Sequence, residues 1–115
     1  MIEISDLHFH LGQKNVLSNI NLEIKQGDFY AVIGGNGSGK STLLKLIEGL
    51  LMPSSGKITI FGMDTSNEEL RFEIRKKIGY VFQNPENQII ASTVLEDLCF
   101  GMENLGFSRE MMTDR

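Results

Sequence analysis

The sequence predicts an α/β fold, and three features of the chain carry that prediction. Apolar residues alternate at period two through the first third of the chain. A short, nearly unbroken apolar run, Phe29–Ile33, lies between Gly27 and Gly34, as in a strand covered on both faces. After Lys40, Leu43, Leu44, Ile47, Leu50 and Leu51 recur at helical spacing, with Lys45 and Glu48 on the other side.

Taken in order, Ile2, Ile4, Phe9 and Leu11 form one alternating strand, and Ile20, Leu22 and Ile24 form a second. Gly12 to Asn15 reads as the turn between them, which gives an antiparallel opening section. Phe29–Ile33 is the next strand and suggests a parallel core. The helix after Lys40 is expected to end by Pro53 and Gly56. Lys57 to Phe61 alternates again, and Ser66-Asn67-Glu68-Glu69 has the pattern of a capping box ahead of a helix carrying Leu70 and Ile74. Ile78 to Phe82 reads as a further strand. Thr93-Val94-Leu95-Glu96 is a second capping box, opening a helix that Gly106 can close. On that helix Cys99 shares a face with Leu95, Leu98, Met102 and Leu105, where burial is expected rather than a reactive thiol.

The chain has 115 residues, enough for one modest core. Apolar residues make up 41% and charged residues 23%, which is the composition of a folding domain rather than a disordered one. A net charge of −4 argues against a nucleic-acid partner, since phosphate binders carry a basic excess. The one basic run, Arg75-Lys76-Lys77, reads as a solvated helix end. A lone cysteine requires no oxidising compartment. His8 and His10 share a strand face, but no third metal ligand accompanies them, so a solvated face is the favoured reading. The start of the chain lacks the basic and apolar segments of a signal peptide, and its longest apolar region, Leu43 to Met52, is broken by Lys45 and Glu48. A cytosolic chain that crosses no bilayer by itself is expected.

The strongest chemical signal is Gly34-Gly35-Asn36-Gly37-Ser38-Gly39-Lys40-Ser41. It matches the P-loop pattern of two glycines with four residues between them, followed by Lys and Ser or Thr. Its place, after a predicted strand and at the start of a predicted helix, is the one the chemistry requires. Glycines allow positive φ and close backbone approach, so amides from Gly37 to Thr42 can converge on phosphate oxygens. The helix adds its positive dipole end. Lys40 is expected to reach the β and γ phosphates of ATP, and Ser41 to ligate Mg²⁺, which prefers oxygen donors. A plain glycine turn capping a helix would need no lysine there.

Together with this loop, the Pro-Ser-Ser-Gly turn at Pro53 to Gly56 and the string Gly79-Tyr80-Val81-Phe82-Gln83-Asn84-Pro85 resemble the ATP-binding subunits of ABC transporters. The continuation through Glu86-Asn87-Gln88, Thr93 to Asp97 and Phe100 to Gly106 is similar to the cobalt and energy-coupling-factor branch. The resemblance implies an incomplete RecA-like P-loop NTPase core with an antiparallel β subdomain and the start of a helical subdomain. Residues 1–33 would be strands leading to the P-loop, 34–41 the P-loop, 83–92 the Q-loop region and 93–115 the start of the helical part. It implies that Gln83 contributes to Mg²⁺ and to sensing the γ phosphate, and that Leu11 occupies the position where an aromatic commonly stacks on adenine. Leucine gives up that stacking, so weak base discrimination is expected.

The resemblance further implies a membrane-embedded transporter subunit and a second ATPase subunit as partners, a peripheral place on the cytoplasmic face of the membrane, and uptake of a metal ion or vitamin. Leu95, Leu98 and Phe100 would contribute to the membrane-partner contact. The family's Leu-Ser-Gly-Gly signature, its Walker B aspartate with the adjoining glutamate, and its switch histidine would lie past Arg115. The 115 residues alone are then expected to hold nucleotide without turning it over, with Val32 and Ile33 on an uncovered edge. The alternatives are a soluble ABC-type ATPase and an inactive truncated gene product.

Overall fold

The computed structural model describes residues 1–113. The chain divides into two compact units, Met1–Gly79 and Tyr80–Arg115. The expected segment 93–115 runs into residues 114 and 115, which lie outside the described residues.

In the first unit, β1 (Ile2–Leu11) and β2 (Lys14–Ile24) form the antiparallel hairpin that their alternation predicts. Then come α1 (Lys40–Ile47), β3 (Ser55–Ile60), the short β4 (Met63–Asp64) and α2 (Glu68–Lys77). The sheet order is β2-β1-β3-β4, with every pair antiparallel. From the strands, Ile4, Leu7, Phe9, Leu17, Ile58 and Ile60 meet Leu43, Leu46 and Ile47 of α1 and Ile74 of α2 in one apolar core. Each such side chain withdrawn from water contributes about 1.5–3 kcal/mol.

The register breaks where β1 bulges. Asp6 and Asn19 both adopt left-handed conformations, at φ 46° and 50°. The Asp6 amide donates to Asn21 Oδ1 at 2.9 Å, which supplies the partner that the ladder withholds there.

Helix α1 is shorter than the apolar spacing suggests. It stops at Ile47, with Gly49 at φ 73° as the left-handed residue that follows the cap. The Gly49 amide donates to Leu46 O at 3.1 Å and the Leu50 amide to Lys45 O at 2.9 Å, the paired bonds of a Schellman ending. The buried face is Leu43, Leu46 and Ile47, and Leu44 and Leu50 point outward. The first cap of α2 is also displaced by one residue. Asn67, not Ser66, is the N-cap, and it accepts from the Glu69 amide at 3.0 Å. Ser66 is taken by Asp64, whose Oδ1 accepts both the Ser66 hydroxyl and the Ser66 amide. Those two bonds, with a smaller effect from Lys57, hold the Asp64 carboxyl below its ordinary range. The basic run ends α2 as expected, with the Arg75 guanidinium donating to Gly49 O at 3.3 Å and Lys76 lying over the Phe72 ring.

Two predicted strands are absent. Phe29–Ile33 and Ile78–Phe82 adopt no regular structure, and Phe29 and Ile33 are 94% and 92% exposed. A strand covered on both faces needs neighbours on both edges, and no described strand pairs with either segment. The parallel core is therefore not present among the described residues, and Val32 and Ile33, expected on an uncovered strand edge, are exposed in a segment that forms no strand.

The second unit holds a 3₁₀ turn (Pro85–Gln88), α3 (Val94–Asn104) and α4 (Arg109–Thr113). The capping box at the head of α3 forms, with the Glu96 amide donating to Thr93 Oγ1 at 3.3 Å and the Thr93 hydroxyl donating to Glu96 Oε2 at 2.9 Å. Gly106, at φ 76°, closes the helix through a second Schellman pair. No described residue of α3 is fully buried. Cys99 is half-exposed and Leu95 and Leu98 are open to solvent, so the expected burial of that face does not occur among the described residues.

Glu48 ends α1 with its Oε2 shut off from water and without a hydrogen-bond partner among the described residues. Burial pushes its carboxyl above the ordinary value, and the Arg75 charge only partly opposes this. The position beside the negative end of α1 adds to the disadvantage of a charge there. A raised folded-state pKa means that Glu48 favours the folded chain below its ordinary value of 4.5 and loses that favour as pH rises through the folded value. Glu48→Gln is accordingly expected to raise the melting temperature at neutral pH, with the gain fading below about pH 4.5. Thermal melts of both chains across this range check it, and a fall at neutral pH would show that the Arg75 attraction dominates instead.

Candidate functional site

The glycine-rich loop joins Ile33 to α1, and its shape follows from where the helix starts. Gly39 is the N-cap of α1 at φ 94° and ψ 4°, a left-handed conformation that disfavours any side chain. Space forbids one as well: a Cβ on Gly39 would stand 2.8 Å from Leu17 Cδ2 and 3.3 Å from Val16 O. The loop thus enters the helix through a notch against β2 that only glycine fits. At the other end a Cβ on Gly34 would meet the Ser38 hydroxyl at 2.7 Å, a contact that rotation of that exposed side chain relieves. Gly37, at φ 78°, has open space around it.

Lys40 folds back over this loop. Its ammonium donates to Gly34 O at 2.8 Å and Gly35 O at 2.7 Å, and lies 3.4 Å from Ser38 Oγ. All these acceptors are neutral, and among the described residues Lys40 forms no ion pair. Its positive charge is therefore oriented by the loop and left uncompensated.

The first helical hydrogen bond runs from the Leu43 amide to Gly39 O at 2.8 Å. Helix geometry leaves the amides of Lys40, Ser41 and Thr42 without intrahelical acceptors. No side chain caps them, and no acidic residue stands in the first turn of α1. By contrast α2 and α3 each have a side-chain cap and two carboxylates in the first turn. One helix start out of these three has been kept clear, and it is the one beside the lysine. Three outward amides, a helix dipole and a fixed ammonium form a donor set suited to an oxyanion such as a polyphosphate. Ser41 is exposed and Thr42 half-buried at this end, so the Ser41 hydroxyl is open to a hard cation. The sequence-predicted residues Gly34 to Thr42 are thus brought together.

Leu11 lies on the hairpin against which Gly39 packs, opposite Lys14 at the turn. It is 68% exposed, so its side chain is free to lie against a flat apolar ring.

Gln83 belongs to the second unit, where it is exposed. It lines an open cleft of about 550 Å³ with Phe82, Asn84, Asn87, Gln88 and Ile90. The side chain that shapes this segment is Gln88, which the sequence reading did not single out. Its Nε2 donates to Tyr80 O at 3.1 Å and its Oε1 accepts from the Phe82 amide at 3.2 Å. One amide thereby satisfies two groups of an extended segment that has no strand neighbour, and the Tyr80 and Phe82 rings meet edge to face at 4.7 Å. Asp97 plays a similar part, accepting from the Ile90 and Ala91 amides at 2.8 and 3.2 Å. Side-chain-to-backbone bonds of this kind leave no periodic trace in a sequence; only the Gln88 and Asp97 residue types hint at them.

Among the described residues there is no group of three His, Cys, Asp or Glu side chains placed to hold a metal, and no helix long and apolar enough to cross a membrane.

Residues 17–114 match the model of the ABC transporter family. The chain is 50% identical over 115 residues to the energy-coupling factor transporter ATP-binding protein EcfA1 of Halalkalibacterium halodurans, covering 100% of this chain and 41% of that protein. It is 45% identical over 108 residues to the cobalt import ATP-binding protein CbiO of Syntrophus aciditrophicus, covering 92% of this chain and 39% of that protein. The chain thus spans about two fifths of the length of the curated relatives it matches. Among solved structures it resembles cbiO1 of Clostridium perfringens, part of the ABC transporter complex cbiONQ, with a TM-score of 0.85, 33% identity, and coverage of 98% of this chain and 46% of that one. It also resembles a dimeric, post-hydrolysis form of the ATP-binding cassette MJ0796 bound to ADP and Pi, with a TM-score of 0.78, 31% identity, and coverage of 97% and 52%.

The notch at Gly39 yields a direct expectation. Gly39→Ala combines an unfavourable φ with a clash against Leu17, and should lower stability by about 1–3 kcal/mol. Gly37→Ala meets only the φ penalty and should cost less. Paired urea melts check the order, and equal losses for the two variants would show that the notch is unimportant.

Proposed function

This chain belongs to the ABC transporter family, and from that membership we propose that its Gly34–Thr42 loop binds the triphosphate of ATP with Mg²⁺. The single observation that carries this reading is the uncapped start of α1 beside an unpaired, loop-held Lys40. In this role the amides of Gly37 to Thr42 orient the phosphate oxygens, and Lys40 exchanges neutral carbonyl acceptors for charged phosphate oxygens. Both sets of bonds have a charged donor, but only the phosphate oxygens carry an opposite charge, so the exchange adds a direct Coulombic attraction and favours the ligand. The Ser41 hydroxyl and the Gln83 side-chain oxygen suit Mg²⁺, which when bound neutralises charge on the phosphates. Leu11 covers the base without stacking on it, so adenine and guanine are only weakly discriminated.

The whole protein, on this reading, is the ATP-binding subunit of an importer of the energy-coupling-factor or cobalt type. The relatives' names support transport over a soluble ATPase. It would act with a membrane-embedded subunit and a second ATPase subunit, at the cytoplasmic face of the membrane. Residues 1–33, 34–41, 83–92 and 93–115 serve as the strands leading to the P-loop, the P-loop, the Q-loop region and the start of the helical subdomain. Within these 115 residues Glu96 and Asp97 are engaged at the head of α3, and neither is a free general base. Binding without turnover is the activity proposed for the chain by itself.

Calorimetric titration of MgATP into this chain and its Lys40→Ala variant tests the reading. Loss of a contact to a charged group, about 1.5–3 kcal/mol, should weaken binding about 10- to 150-fold. Equal affinity in the two chains would refute the role of the loop, and phosphate release by the chain alone would refute binding without turnover.

A further inference from the structure

The glycine-rich loop contains a second chemistry, directed at itself. Asn36 is followed by glycine, and every other asparagine of the chain by a larger residue. Gly37 carries no side chain to obstruct its own nitrogen, and a Cβ placed on it would meet nothing within 4 Å. Among the described residues the Asn36 side chain makes no hydrogen bond and the Gly37 amide donates none. Several asparagines elsewhere are tied down. Asn21 Oδ1 holds the Asp6 amide at 2.9 Å, Asn67 Oδ1 the Glu69 amide at 3.0 Å, and Asn15 Nδ2 donates to Ser18 Oγ.

We propose that Asn36 is a site of spontaneous deamidation, and that its conversion disables the loop for phosphate binding. The Gly37 nitrogen attacks Asn36 Cγ, a nitrogen–carbon bond forms, and the amide proton is lost. The bond from Cγ to Nδ2 breaks and ammonia leaves, giving a cyclic imide. Water then opens the ring at one of its two carbonyls, yielding aspartate or isoaspartate. The sum is asparagine plus water giving an acid plus ammonia, with no change of oxidation state.

Either product damages the loop for a physical reason. The new carboxylate faces a ligand of like charge where the loop otherwise offers only donors. Isoaspartate also lengthens the backbone by a methylene just before the amides of residues 37–42, so they no longer converge. This half of the proposal rests on the phosphate-binding reading above. A bound triphosphate would engage the Gly37 amide, so an occupied loop is protected and an empty one ages.

The test is to age the full chain and its Asn36→Gln variant at mildly alkaline pH, locate converted residues by peptide mass spectrometry, and titrate MgATP before and after. Asn36 should convert several-fold faster than Asn67, and bound MgATP should slow it. The aged chain should contain a fraction weakened about tenfold or more, matching the fraction converted, while aged Asn36→Gln keeps its own starting affinity. Conversion at Asn36 no faster than at Asn67 would overturn the proposal, as would unchanged affinity after conversion. If the fresh chain binds no MgATP, the phosphate-binding reading and the disabling role fall together, and mass spectrometry still decides the chemistry at Asn36.

Discussion

The start of α1 at Gly39 is the constraint on which the site depends. The helix has eight residues, too few to be stable alone, and it is held by Leu43, Leu46 and Ile47 in the core of the first unit. With its position set from below, Gly39 is pressed against Leu17 and Val16 of β2, and the loop before it must turn left-handed. That turn sets the direction of the three amides that follow and brings the Lys40 ammonium back over Gly34 and Gly35. The hairpin thus contributes to the site without supplying any of its donors.

The electrostatics of the site come from what is withheld. α2 and α3 begin with Asn67 and Thr93 as caps and with acidic first turns, which offset the helix dipole by a few tenths to about 1 kcal/mol per group. α1 forgoes these and leaves its amides to solvent. Lys40 gives up a carboxylate partner and takes carbonyl oxygens. Stability is set aside locally, and an anion bound as proposed would find donors already in place and little reorganisation to perform.

What the sequence disclosed and what it hid divide along one physical line. Features decided within a few residues were legible: the β1–β2 hairpin, the glycine loop, the Thr93 cap with Glu96, and Gly106 as a helix stop. Features decided by a distant neighbour, or by competition among polar side chains near one turn, were not. Phe29–Ile33 has strand composition, but no described strand pairs with it and the segment stays irregular. Leu46, fully buried, fell outside the apolar face drawn from spacing, because the packing of α1 against the sheet chooses between neighbouring helical stripes. Ser66 lost the cap of α2 to Asn67 because Asp64 took its hydroxyl and amide. The clamp by Gln88 on Tyr80 and Phe82 spans a turn and leaves no pattern. The loop was legible as a candidate because glycine conformation, charge and sequence order coincide there within a single stretch of chain.

The most direct measurement is the set of backbone amide resonances of residues 34–42 as magnesium pyrophosphate is added, which isolates the phosphate site from the base and from any partner. The account predicts large, saturable shifts at Gly37 to Thr42, with the Lys40 ammonium leaving its carbonyl acceptors. Resonances of the loop that stay in place, while others move or none do, would contradict it.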